Sequence, residues 1–297
     1  MSVNSSSSFS PSNSSSINVI EFLQNCYRSP AGASSMIAFT VCSLLLVLPP
    51  CVYVVYLGLK QRRSGTAASH SDVFTFHMVA IELMNIVGNL FCCCGVLAGL
   101  PEMLVGIVFF AVHLCGQQLF HSLTCVERYL AVVHPVTYLG LKNQKGVRVR
   151  NVSIGCVWLL SFANTFALFV EKNDSNFIYH YCALTFILIA VSFCSLSVLR
   201  VLIGPGPGAG AAGRQRVDRA KMKAFYTIMV ILVVLLVRAG GTVVTSVLYN
   251  SAHVGEAEKC TTWLSLTWFS LPSSLVLPLL FLHRAGKRLC TPEAVSH

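Results

Sequence analysis

The sequence predicts an all-α membrane protein, a seven-transmembrane helix bundle with its N-terminus outside. Three observations carry this prediction. Charged residues make up 11% of the chain against 55% hydrophobic ones, with a mean hydropathy of +0.69, whereas a soluble domain carries about 25% charged residues. Apolar stretches recur that are each long enough to cross a hydrocarbon core about 30 Å thick. Lys and Arg, finally, gather on alternate connections between those stretches.

The elements follow in order. Residues 1–33 are expected to be a disordered, glycosylated extracellular N-terminus; its Ser-rich start, MSVNSSSSFSPSNSSS, has too little apolar surface to offset its chain entropy. It lacks a positive segment leading into an apolar one, so no signal peptide is expected there. The bundle covers 34–284, with spans near 35–59, 73–100, 104–133, 150–170, 178–203, 223–250 and 261–283, and residues 285–297 form a cytosolic helix end and tail. Leu100-Pro101-Glu102-Met103 is a tight turn between the second and third spans. IGPGPGAGAAG, at 203–213, cannot be helical through its centre and reads as a flexible linker.

Orientation comes from the cations. Lys60, Arg62 and Arg63 follow span one; Lys142, Lys145, Arg148 and Arg150 follow span three. Arg200, Arg214, Arg216, Arg219, Lys221 and Lys223 follow span five, and Arg284, Lys287 and Arg288 follow span seven. The opposite connections hold Arg28, Lys172 and Lys259 among several acids, so the cation-rich side is cytosolic. The net charge of +10 is then met by anionic lipid and calls for no nucleic acid. Asn4, Asn13 and Asn173 begin Asn-x-Ser acceptor sites on the outer side, whereas Asn151-Val-Ser falls at the cytosolic mouth of span four and reads as a chance match.

Ionisable and amide side chains inside spans are costly and mark function or interhelical contact. Glu82, Asn85 and Asn89 make span two polar along one face. His113, Gln117 and His121 recur at i, i+4 and i+8 on span three, so they share a stripe that must face the bundle interior, with Arg128 seven residues further on. That stripe serves either hydrogen bonding between helices or ligand contact. Arg238 lies fifteen residues beyond Lys223, about 22 Å along a helix. Three readings of it stay open: a partner for Glu82, an anchor for an anionic ligand, or a lipid-facing cation that snorkels outward. Of the thirteen cysteines, Cys26, Cys182 and Cys260 lie near the oxidising face, and one bridge among them is expected. No nucleophile–base set or Cys/His metal spacing occurs, so neither an enzyme nor a cofactor or metal site is expected.

Glu127-Arg128-Tyr129, followed by Leu-Ala-Val-Val-His-Pro135 at the cytosolic end of span three, resembles the rhodopsin-like (class A) G-protein-coupled receptors. Trp158 in span four, Pro278 with Phe281 in span seven, and HRAGKRLC at 283–290 extend the likeness over residues 35–290. The resemblance implies a plasma-membrane receptor that passes an extracellular ligand signal to a heterotrimeric G protein. In it Arg128 pairs with Glu127 at rest and is released to line the G-protein cavity, and Pro278 and Phe281 form the helix-seven switch. It further implies a short amphipathic eighth helix with Cys290 as a palmitoylation site. Glu82 stands where the family's sodium-binding acid stands, with Gln117, Ser273 and Ser274 around it; a protonated Glu82 bonded to its neighbours is the competing reading. Met103 stands where the family's span-three cysteine would be, which leaves Cys182 without its usual partner and assigns the bridge to Cys26–Cys260.

The departures are as informative. Span one lacks the family's Asn and carries LVLPPCVY, span five lacks its Pro, span six lacks Cys-Trp-x-Pro, and Leu277 precedes Pro278. Span seven has no Lys, so no retinal Schiff base forms; span three has no Asp, so the amine salt bridge is missing. Two alternatives stand beside the receptor. One is a non-coupling seven-helix decoy or dimer partner, kept by the eroded motifs. The other is a small transporter or channel, disfavoured by the lack of an internal repeat.

Overall fold

The computed structural model describes residues 19–65, 70–98, 103–140, 143–170, 175–203, 211–249 and 255–289, and among them there is no strand. Helix α1 (Val19–Arg28) leads into a column built from α2 (Pro30–Cys42), a π-helical turn (Ser43–Val47) and α3 (Leu48–Arg63). Then come α4 (His70–Ala98), α5 (Met103–Val133), the short α6 (Pro135–Gly140), α7 (Gln144–Val170), α8 (Ser175–Ile203), α9 (Ala211–Tyr249) and α10 (Glu256–Leu289). Five stretches, Pro30–Arg63, Asp72–Ala98, Met103–Val133, Phe225–Thr245 and Ala257–His283, are long and apolar enough to cross a membrane, and α8 adds the shorter apolar Thr185–Val201. The chain is a multi-pass, all-α membrane protein. Seven crossings were expected; five described helices meet the requirement by length and composition.

Burial follows the same solvent. His113, Gln117 and Thr124 have no exposed surface, whereas Leu159 is 71% and Phe186 72% exposed. Water would favour the reverse distribution; hydrocarbon favours this one.

Local chemistry explains where helices deviate. Pro49 and Pro50 cannot donate to the carbonyls of Leu45 and Leu46, and their rings crowd those oxygens. The chain answers with the π-turn immediately before them, in which the Leu48 N–H reaches back to the Ser43 carbonyl. Helix α10 carries Pro272 and Pro278 in its interior and remains helical throughout. At the α1–α2 corner, Ser29 caps α2: its Oγ accepts from the Gly32 N–H at 3.1 Å and donates to the Cys26 carbonyl at 2.7 Å, with Pro30 opening the helix.

Helix α5 is the axis of the bundle and packs against α4, α7, α8, α9 and α10. Its closest approach is to α4, where small residues let backbones meet. A Cβ on Gly106 would lie 2.4 Å from the Gly88 carbonyl oxygen and 2.3 Å from the Cys92 sulfur. The largest apolar cluster joins Met78 and Ile81 of α4, Phe120 and Cys125 of α5, Val191 of α8, Ile228, Ile231 and Leu235 of α9, and Leu277 of α10.

The structure departs from the expected organisation at both ends. The N-terminal segment is not unstructured as far as residue 33: Val19–Arg28 is helical, and Leu23, Cys26 and Tyr27 are buried against Met36, Cys92, Met103, Ile107 and Leu264. Apolar burial there offsets the ordering entropy that the Ser-rich start has no means to offset. Among the described residues the proposed eighth helix is not a separate element, since α10 runs unbroken to Leu289. HRAGKRL contains no Pro, and its single Gly286 costs a helix only about 1 kcal/mol. Ala211–Gly213, at the end of the proposed linker, already belong to α9; the remainder of that linker, 204–210, and the Leu100–Glu102 turn lie outside the described residues.

Cys26 and Cys260 are joined in a disulfide with their Cα atoms 5.3 Å apart, tying α1 to the start of α10, while Cys182 is unpaired and exposed. Replacing Cys26 with Ser is expected to lower stability by about 2–4 kcal/mol, read as a lower thermal midpoint of the purified protein, and non-reducing peptide mapping of the parent should recover the Cys26–Cys260 pair. Gly106→Val should cost about 1–3 kcal/mol or more because backbone, not a flexible side chain, stands in the way. Gly240→Ala meets nothing within 4 Å and should leave the midpoint unchanged or slightly raised.

Candidate functional site

Two polar constellations stand on α5, one inside the bundle and one at the helix's C-terminal end. The inner one is assembled from four helices. Glu82 of α4 is 1% exposed. Its two carboxylate oxygens lie 3.2 and 3.1 Å from Nε2 of His113, and Oε1 accepts from Nε2 of Gln117 at 2.9 Å. The same Gln117 amide nitrogen donates to Ser274 Oγ of α10 at 3.0 Å. Gln117 Oε1 therefore points the other way, where it accepts from Nη1 of Arg238 on α9. Nη2 of Arg238 donates to the Leu114 carbonyl at 3.1 Å. His121, one turn further along, donates from Nε2 to the Ser273 carbonyl at 3.2 Å, which fixes its tautomer.

The result is a relay in which one neutral amide meets a carboxylate on its N–H side and a guanidinium on its oxygen side. Arg238 faces the interior and is 4% exposed, so the snorkelling reading is corrected. It does not contact Glu82 directly either; the two are joined through Gln117. The anchor for an anionic ligand finds no support here, because both terminal nitrogens of the guanidinium already donate within the bundle. The sodium reading is not carried forward. A cation needs oxygen ligands, and the carboxylate instead faces N–H donors from His113 and Gln117. The Ser274 hydroxyl is engaged by Gln117, and the Ser273 carbonyl by His121.

Asn85 and Asn89 are buried on the same face of α4, further toward the disulfide-bearing end, with Oδ1 of Asn85 and Nδ2 of Asn89 unpartnered. His113 Nδ1, His121 Nδ1 and Ser273 Oγ are likewise buried without partners. A group of this kind in an apolar interior costs several kcal/mol unless something satisfies it.

At the other end of α5, Arg128 Nε lies 3.5 Å from Oε2 of Glu127, and Tyr138 of α6 donates to Glu127 Oε1 at 2.8 Å. Pro135 starts α6 and turns the chain back, so that Tyr138 reaches the preceding helix. Burial raises the Tyr138 phenol above its usual range, and the Glu127 carboxylate adds to the shift; Arg128 opposes it, and Asp72 reinforces it. Asp72, buried in the first turn of α4, therefore belongs to this cluster. Tyr129 turns away: its ring stands edge-on to His134 at 5.5 Å and contacts Phe193 of α8 at 5.9 Å.

Pro278 is buried within α10, and Phe281 packs on Phe76 of α4 with ring centroids 5.7 Å apart, inside an apolar cluster with Val47, Cys51 and Val54. Trp158 donates to His77 Nδ1 of α4 at 3.3 Å, a contact the sequence does not reveal. Tyr138 and Asp72 were also missed. Tyr138 lay in plain view in ERYLAVVHPVTY, but its reach depends on the reversal at Pro135; Asp72 sits just before the apolar run of α4, where it reads as an exposed helix start. Asn4, Asn13, Asn173 and Cys290 lie outside the described residues.

Compared with known proteins, the chain matches no family model and no curated protein.

The relay makes Glu82 and Arg238 interdependent without contact. Breaking a buried charge pair costs about 3–5 kcal/mol, so Arg238→Leu and Glu82→Leu should each strongly reduce folded protein. The double variant should recover a coupling energy of about 0.5–3 kcal/mol. In a Gln117→Leu background that coupling should shrink to what direct attraction between the two buried charges supplies, as measured by thermal unfolding across the cycle.

Proposed function

We propose that the chain is a plasma-membrane receptor of the rhodopsin-like kind, with seven helices crossing the bilayer, N-terminus outside, that activates a heterotrimeric G protein. The observation that carries this reading is the Glu127–Arg128 pair, 3.5 Å apart and closed from α6 by Tyr138, at the end of the central helix where the flanking connections carry Lys and Arg. A guanidinium held beside a carboxylate at a membrane mouth stores a charge that outward movement of α9 can expose to a docking partner. The resting state is the one described: Arg128 held by its neighbour, Tyr138 on the same carboxylate, and α9 tied to α5 through Arg238. The ligand class is left to the relay.

A non-coupling reading is favoured by one observation. Leu277 and Phe281 both pack into apolar clusters, so α10 presents no polar side chain at these two positions to exchange during switching. Recruitment of a Gα panel, read by energy transfer in transfected cells, separates the two. Arg128→Ala should remove recruitment while leaving surface expression intact. Glu127→Gln should raise basal recruitment by about fivefold, the effect of losing about 1 kcal/mol of resting preference, and Tyr138→Phe should raise it by less. Unchanged signals in all three would leave the triplet as a snorkelling helix end.

A further inference from the structure

We propose that the buried relay takes a proton as its ligand: a proton bound at His113 releases Arg238, and with it α9, from α5. The signalling consequence rests on the receptor reading above; the binding and the movement do not.

The inference starts from a charge count. With both histidines neutral, Glu82 contributes one negative and Arg238 one positive charge, and Gln117 links them through opposite ends of one amide. The cluster is balanced. His113 donates Nε2–H to the Glu82 carboxylate and keeps Nδ1 buried and unpartnered, so Nδ1 is a lone pair ready to accept. A hydronium ion that gives its proton to Nδ1 creates an imidazolium directly facing Glu82: one N–H bond forms, one O–H bond of the hydronium breaks, and water is released. The carboxylate is then matched by its nearest neighbour, and Arg238 is left as an unbalanced buried charge resting on two neutral carbonyl oxygens. Such a charge is strongly unfavourable in an apolar interior. Moving α9 to bring Arg238 toward a polar region relieves it.

The surroundings single out His113. Among the described residues, His113 meets Glu82 on α4 and has His121 near it on α5; Cys51 on α3 lies near Glu82, Cys115 on α5 near Arg238 on α9, and α10 presents the uncharged Ser273 and Ser274. His121 bonds a backbone carbonyl and feels Arg238 and Glu82 only from a distance, whereas His113 meets the Glu82 carboxylate directly. Asn85 and Asn89, one and two turns along α4 from Glu82 toward the Cys26–Cys260 end, leave buried polar atoms unpartnered and provide polar steps for water between that end and the relay. Those steps lead in from the Cys26–Cys260 end, which makes the response one to acidity on that side.

The test uses the full chain in lipid nanodiscs, with fluorophores on non-natural residues replacing Val136 in α6 and Met222 in α9, which are 83% and 55% exposed. Lowering the pH from about 8 to about 6, across the imidazole range, should widen the Val136–Met222 distance in the parent. His113→Asn should stay closed at every pH. Glu82→Gln, which removes the balancing charge, should be wide at every pH; should it fail to fold, His113→Asn carries the test alone. No change in the parent, or an unaltered change in His113→Asn, overturns the proposal. In cells, Gα recruitment should rise by roughly threefold or more over the same range and be absent from Arg128→Ala. Widening without recruitment of any Gα defeats the receptor reading and leaves the proton site standing. Recruitment indifferent to pH, with a fixed distance, defeats the proton site and leaves the receptor.

Discussion

Hydrocarbon offers no hydrogen bonds, and one amide inside this bundle must therefore answer two opposite charges. Gln117 does so because its side chain is a donor at one end and an acceptor at the other. Its nitrogen serves Glu82 and Ser274 and its oxygen serves Arg238, so helices α4, α5, α9 and α10 meet at a single residue. A Glu in its place would face the Glu82 carboxylate with like charge; a Leu would leave both charges stranded. The apolar clusters around it fill space, but they do not dictate which helix faces which. The relay supplies that specificity, since Gln117 keeps its three partners only while the four helices hold this arrangement.

This division explains what was legible in the sequence. The apolar runs and the Lys and Arg bias were visible because a membrane imposes them on composition. The stripe His113, Gln117, His121 was visible because helical periodicity puts these residues on one face. The partners were not. Whether Arg238 met Glu82, a ligand or lipid was left open, and the answer, an intervening amide, depends on the azimuth of α9 against α5, which no local pattern records. The same holds for Tyr138, whose contact with Glu127 requires the reversal at Pro135, and for His77 with Trp158. Residues 19–28 were misjudged for another reason. A ten-residue segment that follows a Ser-rich start reads as part of it until the burial of Leu23, Cys26 and Tyr27 against neighbouring helices is counted.

The helices that meet at the relay differ in how they can move. α10 carries Pro272 on one side of Ser273 and Ser274 and Pro278 on the other. Each removes a backbone hydrogen bond and makes a natural bending point. The column of α2 and α3 has its own soft point in the π-turn ahead of Pro49 and Pro50. α9 contains no Pro. Its weakness is Gly240-Gly241, beginning two residues after Arg238, where the helix gives up about 1 kcal/mol per Gly relative to Ala. Gly241 is held by the face of Phe269, whereas Gly240 meets nothing. Helix α9 is thus stiff from its start to Arg238 and soft just beyond, so a force applied at Arg238 turns the long segment as a unit.

That segment is the link between the two polar constellations. Gln117 and Arg128 are eleven residues apart, close to three turns and about 16 Å along one face of α5. His121 and Thr124 occupy the turns between and are buried. Helix α9 runs antiparallel beside this face: eleven residues back from Arg238 is Thr227, also buried, and between them lie Ile228, Ile231 and Leu235 in the main apolar cluster. Apolar contact is non-directional and tolerates a change of tilt at little cost, whereas the hydrogen bonds to Gln117 and Leu114 tolerate none. The position of α9 near Arg128 is therefore governed by whether Arg238 is held three turns away. An apolar residue at 238 would let α9 settle by packing alone; the buried cation makes its position answer to the charge of Glu82.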